Sequence, residues 1–227
     1  MTYPYLLNVE IRRRLCVSFA LLFASASSAA AEFEITVLDR NGEPVPNVAV
    51  YVQSDDDGDR PETEKIAVMQ QVDSRFEPDL LVVQTGTRVQ FPNNDIVAHH
   101  VYSFSTPNNF VLPMFRGGMR PQVQFEHPGV VTVGCNLHDQ MVGYILVVDG
   151  QAYGKTDRDG RVHLDADNPE GVTVKIWSPD IRPEQENLAQ TVRAGRSARL
   201  TFLLTEELRT QQSDDMETYS WRENRIR

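Results

Sequence analysis

Gly134-Cys135-Asn136-Leu137-His138-Asp139-Gln140-Met141-Val142-Gly143 places a thiol, an imidazole and a thioether in one short loop, at the spacing C-x2-H-x2-M. Its flanks read as strands: Gly129 to Val133 enters and Tyr144 to Val148 leaves. A hairpin loop of this kind can fold three side chains around one point. What it lacks is a second nitrogen. Phe91-Pro92-Asn93-Asn94-Asp95 leads upstream to His99-His100-Val101-Tyr102, and that segment can supply one from a neighbouring strand. Two imidazoles, one thiolate and a weak axial thioether make the trigonal donor set associated with electron-transfer copper.

The pattern N-N-D-x3-H-x-V followed by C-x2-H-x2-M resembles the cupredoxins, the type 1 blue copper proteins of plastocyanin and amicyanin type. The resemblance covers residues 64 to 149 and implies a Greek-key β-sandwich with one copper per chain. The ligands it implies are His99, Cys135, His138 and Met141. Cys135 would supply the short covalent bond and His138 the solvent-facing exit for the electron, with Met141 a long axial contact that tunes the potential. Two positions depart from the family pattern. His100 stands where Asn commonly follows the first ligand, and it either keeps part of the surrounding hydrogen bonding or competes as a ligand. Asn136-Leu137 replaces the familiar residue-proline pair before the loop histidine.

Other chemistries fit these residues less well. Zinc is poorly served by a thioether, and structural zinc sites use more thiolates or imidazoles. A Cys-His hydrolase built on Cys135 and His138 lacks a recognisable orienting residue or oxyanion-hole signature. His127 and His163 lie outside the motif and read as surface or structural residues. No catalytic residue is assigned, and the chain is read as a non-enzyme.

The chain has 227 residues, 41% hydrophobic and 24% charged, with a formal charge of -10. That permits one large domain or two small ones, each with a real core. Arg12-Arg13-Arg14 precedes the apolar run Leu15 to Ala24, and Ser28-Ala29-Ala30-Ala31 offers small residues for cleavage, so residues 1–31 read as an export signal. A periplasmic protein without a membrane anchor is expected, carrying about -12 once three arginines and one glutamate are removed. Cys135 is then the only remaining cysteine, and a lone thiol in an oxidising compartment calls for burial or a metal. The acidic balance excludes nucleic acid and anionic membrane surfaces as partners.

Along the chain, Phe33 to Leu38 and Val48 to Val52 alternate and flank the turn signal Asp39-Arg40-Asn41-Gly42, which predicts a hairpin. Asp55-Asp56-Asp57-Gly58-Asp59 reads as a solvated acidic loop and not as a calcium loop, because Gln53 occupies the first ligand position. Strands follow at Ile66 to Gln70, Leu80 to Gln84, Arg88 to Phe91, Val101 to Phe104 and Gln122 to Phe125, with a long loop over Thr106 to Pro121. Short strands at this spacing, with no convincing long amphipathic helix, predict an all-β sandwich.

Beyond Val148, strands are expected within Tyr153 to Leu164, at Val172 to Trp177 and at Ala198 to Leu204, too few for a sandwich of their own. The segments V-x-D-x-N-G-x-P-V-P-N-V-x-V and T-D-x-D-G-x-V-x-L resemble carboxypeptidase-regulatory or transthyretin-like domains. That resemblance implies a discontinuous accessory β-domain of residues 33–54 plus 150–205, interrupted by the copper domain. The alternative is that the first hairpin extends the copper-domain sheet. Residues 206–227 form a polar tail with no assigned chemistry.

Two functions remain open from sequence. One is single-electron transfer with a redox partner protein. The other is a copper carrier or accessory module for maturing another enzyme. Similar chains are associated by name with methylamine utilisation, and no amine-binding site is visible here.

Overall fold

The computed structural model describes residues 31–53, 65–166, 171–185, 188–193 and 196–209. The expected export signal, the acidic loop and the end of the polar tail fall outside these residues, apart from Ala31 and residues 206–209. The described residues are all-β and contain no helix.

Alternation dictates the first strand. In β1 (Ala31–Leu38) the side chains of Phe33, Ile35 and Val37 are fully buried while their neighbours face outward. β1 is the centre of a three-stranded sheet, antiparallel to β14 (Arg161–Ala166) and parallel to β17 (Ala198–Leu203). β2 (Ala49–Gln53) lies in a different sheet, between β13 (Gly150–Lys155) and β15 (Val172–Trp177), with β16 (Ala189–Val192) beyond β15. The predicted hairpin of the first two strands is therefore not formed. Asp39 accepts the amides of Asn41 and Glu43, and Leu38 bridges Pro44, but the chain then crosses over through Pro46 and Asn47, whose φ is 58°. Val48, Val50 and Val52 thus face Phe33, Ile35 and Val37 across one shared core. Two sheets closed on that core make a small β-sandwich.

The middle of the chain builds a second core. Its main sheet has the order β6 (Leu80–Gln84), β12 (Val142–Val148), β11 (Gly129–Cys135), β8 (Val101–Ser103) and β9 (Phe110–Val111). Opposite it lie β10 (Gln122–Gln124), β7 (Arg88–Gln90) and β3 (Ile66–Val68). Val89, Phe91, Val131, Val133 and Ile145 meet between them. The strand expected over Ile66 to Gln70 breaks at Met69, which turns inward and is fully buried. The chain resumes as β4 (Gln70–Val72), paired with β5 (Arg75–Glu77) through a turn at Asp73 and Ser74. Both turn residues have positive φ, 51° and 55°, the twist that a two-residue hairpin requires.

The two sandwiches meet on the outer face of β12. Leu80, Leu146, Val148 and Ala49 are buried there against Tyr51, Tyr144, Tyr153 and Trp177. Lys155 donates to the Leu80 carbonyl at 2.9 Å, and the Tyr144 and Trp177 rings meet at 5.9 Å. Only Asp149 separates β12 from β13, so one continuous run passes from one sandwich into the other.

Gly143 fixes where the β4–β5 hairpin sits. A Cβ at Gly143 would come within 2.9 Å of the Phe76 Cβ, so the bare backbone of β12 is what admits β5. Gly143→Ala should overpack this contact and destabilise the fold by about 1–3 kcal/mol, read as a lowered denaturant midpoint. An unchanged midpoint would mean that Phe76 does not need the space.

Candidate metal centre

The hairpin of β11 and β12 carries three of the four expected residues. The strands run in register from Gly129↔Val147 to Gly134↔Val142. The connecting loop is then closed by its own backbone. The Cys135 amide donates to the Met141 carbonyl at 3.1 Å, and the Met141 amide donates to the His138 carbonyl at 3.0 Å. Cys135 and Met141 thereby stand at the base of the loop, with His138 at its turn. The fourth residue arrives through sheet pairing. β8 lies antiparallel to β11 with Val101 opposite Cys135, which brings the preceding residues alongside the thiol. His99 is locked by two backbone hydrogen bonds with Phe115, each 3.0 Å.

The result is a compact triangle. The Cys135 Sγ lies 3.6 Å from His99 Nδ1 and 3.7 Å from His138 Nδ1, and all three ligand atoms lie within 4.8 Å of one another. Bonds of about 2.0 Å to imidazole and about 2.3 Å to thiolate, opened to a trigonal angle, put sulfur and nitrogen roughly 3.7 Å apart. The two sulfur–nitrogen sides are of the length that would let these residues hold a metal ion between them. Met141 is 1% exposed and belongs to the same core cluster as Cys135. Among the described residues, no carboxylate or further imidazole joins the cluster. That set lacks the fourth thiolate or imidazole of a structural zinc site and is compatible with copper. His100 stays outside the cluster, where its carbonyl accepts the Asn136 amide at 3.0 Å. Cys135 itself is 2% exposed.

Asp95 is the functional residue that the sequence reading quoted only as part of a motif. Its Oδ2 lies 2.7 Å from His99 Nε2. An ionised carboxylate can only accept, so the imidazole carries its proton on Nε2 and turns the Nδ1 lone pair toward Cys135. Asp95 is in turn fixed by the left-handed turn of the β4–β5 hairpin: the Asp73 amide donates to Oδ1 at 2.6 Å and the Ser74 amide to Oδ2 at 3.0 Å. Desolvation pushes this carboxyl toward a higher pKa, but the Ser74 amide, the His99 imidazole and the Asp73 amide outweigh it and hold it below the usual range. Asn93 completes the support, donating to the Val97 and Phe115 carbonyls while its Oδ1 accepts the Asp95 amide.

No protein-family model matches the sequence, and no curated protein matches it. Solved structures similar to it include an oxidised amicyanin variant, 21% identical over 37% of this chain and 82% of that one, with a TM-score of 0.35. A copper(I) form of another amicyanin variant is 17% identical over 43% of this chain and 99% of its own, with a TM-score of 0.36. A purple cupredoxin from Nitrosopumilus maritimus is 24% identical over 37% of this chain and 100% of its own, with a TM-score of 0.33. The likeness covers nearly the whole of each small neighbour and a minority of this chain.

Because the folded pKa of Asp95 is depressed, its stabilising contribution is complete above the unfolded carboxylate value, near pH 4, and is lost as pH falls through the folded value. Asp95→Asn should therefore be less stable than the wild type at pH 5 to 7, and the gap should close toward pH 2. Denaturant midpoints across that range test it; a gap that is constant in pH would mean that the charge of Asp95 contributes nothing.

Proposed function

We propose that this chain is a type 1 copper protein that passes single electrons between redox partners in the exported compartment. The observation that carries this reading is the buried triangle of His99 Nδ1, Cys135 Sγ and His138 Nδ1, with Met141 in the same core cluster as Cys135. Copper held there would supply a one-electron couple through soft donors. The residues supply the rest. Asp95 holds the His99 tautomer that offers nitrogen to the site. Backbone hydrogen bonds tie Cys135, His138 and Met141 to one another. A donor set fixed in this way moves little between oxidation states, and small rearrangement favours fast electron exchange. Water is excluded by the surrounding core, while His138, half-buried beside exposed Leu137, is the ligand edge closest to solvent. Residues 33–54 and 150–205 are in this reading an accessory unit that braces the copper sandwich on the outer face of β12.

The copper-loaded protein should show an intense visible thiolate-to-copper(II) band, and Cys135→Ser should abolish it, since an alcohol is too weakly acidic to replace the thiolate. A full-strength band in the serine variant would sink the assignment.

Met141→Leu separates an axial donor from a packing residue. The swap nearly conserves volume, so it should cost under ~1.5 kcal/mol and retain copper and its band. Losing a donor that favours the oxidised state should raise the reduction potential in voltammetry. An unchanged or lower potential, with copper bound, would make Met141 core packing only.

A further inference from the structure

The chain is strongly acidic, with 32 carboxylates against 22 lysines and arginines, yet the rim of the metal centre is not. From Ile96 to His138 the single carboxylate is Glu126, and the cations are Arg116 and Arg120. Glu126 precedes the start of β11, whereas Cys135 ends that strand. Seven residues of β11 separate the two ends, roughly 20 Å of strand. Arg116 is placed beside the site by its neighbours. Phe115 bonds His99 through both backbone groups, and the Gly117 backbone lies against the carbonyls of Asn93 and Asp95. Both arginines are exposed, and neither takes part in an ion pair among the described residues. Arg75, exposed at the β5 end of the turn that clamps Asp95, adds a third cation. The opposing charges are Asp95, largely buried against His99, and exposed Asp73 and Asp139, so exposed cations outnumber exposed carboxylates around the site in a chain of formal charge -10. Between the arginines and beside them, Met114 and Met119 are 65% and 54% exposed. Exposed arginine and methionine together are the composition of interface cores and not of ordinary surface.

We propose that the Met114–Arg120 ledge docks an acidic face of a redox partner protein beside the metal centre, on the segment whose Phe115 pairs with His99. The inference rests on the electron-transfer reading and adds the chemistry of the partner. An acidic partner is repelled by the net charge of this molecule and attracted at the ledge. That charge pattern favours the orientation that brings it to the donors. The methionines then supply adaptable apolar contact once the charges have met.

The test is an amide NMR titration of the full chain with a hexaglutamate peptide, with and without copper, at low salt. Shifts should concentrate on residues 112–121 and 135–141, and affinity should fall as salt rises. Arg116→Glu with Arg120→Glu should weaken binding at least about tenfold. Arg158→Glu with Arg182→Glu, which makes the same charge change at exposed positions on the other sandwich, should weaken it less than about twofold. Equal losses in the two double variants would reduce the effect to net charge and overturn the inference. Shifts centred on the other sandwich would overturn it too, as would recruitment to anionic vesicles with no response to the peptide. Peptide binding needs no copper, so a missing visible band counts against the electron-transfer reading alone. Missing ledge-specific binding counts against this inference alone.

Discussion

A thiol and two imidazoles buried edge to edge have no strong attraction for one another, so something else must hold them. Here it is the backbone. The Cys135 and Met141 amides close the loop on carbonyls within it, and His99 is paired on both sides to Phe115. Burying polar groups without satisfying them costs about 1–3 kcal/mol each. The loop escapes that cost by spending its own amides and carbonyls on geometry. Everything else in the sandwich that carries the site follows from that demand. β8 must lie beside β11, the 112–116 segment must bridge His99, and Met141 is drawn into the same core.

The second demand is orientation of the imidazole that is out of reach of solvent. A fully buried histidine with a free ring could offer either nitrogen. Asp95 removes the choice, and the Asp73–Ser74 turn removes the freedom of Asp95. The chain of constraint runs from Gly143, which admits Phe76, through the β4–β5 hairpin, to its turn amides, to the carboxylate, to Nε2. Each link is ordinary. Together they let a bare backbone position on β12 influence a ring nitrogen on the far side of the hairpin.

The meeting of His99, Cys135 and His138 was legible in sequence because two of them share one short loop and the third precedes a strand. Their spacing is local information. The role of Asp95 was not legible. A carboxylate four residues before a histidine is common in loops, and the amides that give it meaning lie 21 and 22 residues away. β5 and β16 were missed for a related reason: each is short, with one buried apolar residue and no alternation long enough to register. The hairpin of the first two strands was misread because a strong turn signal at Asp39 to Gly42 says where the chain bends, not which sheet it joins next. Pro46 and the left-handed Asn47 settle that, and their effect is visible only when the partners of β2 are known.

The sandwich built around β1 bears on the candidate metal centre through a single strand. β12 is apolar on both faces near its end: Ile145 and Val147 face the core that contains Cys135, while Leu146 and Val148 face Ala49 and its neighbours. A strand with one face in water would need polar residues at those positions. Leaving Leu146 and Val148 exposed would forfeit about 1.5–3 kcal/mol for each side chain. The outer packing is therefore part of what keeps β12 straight, and β12 begins one residue after Met141. Lys155 adds a directional contact to the apolar one. Burial lowers its pKa, nearby Asp79 partly opposes that, and its ammonium donates to the Leu80 carbonyl on the strand beside β12. The ligand loop is thus anchored at one end by a strand held from both sides. A hairpin clamped in that way leaves its loop little room to rearrange.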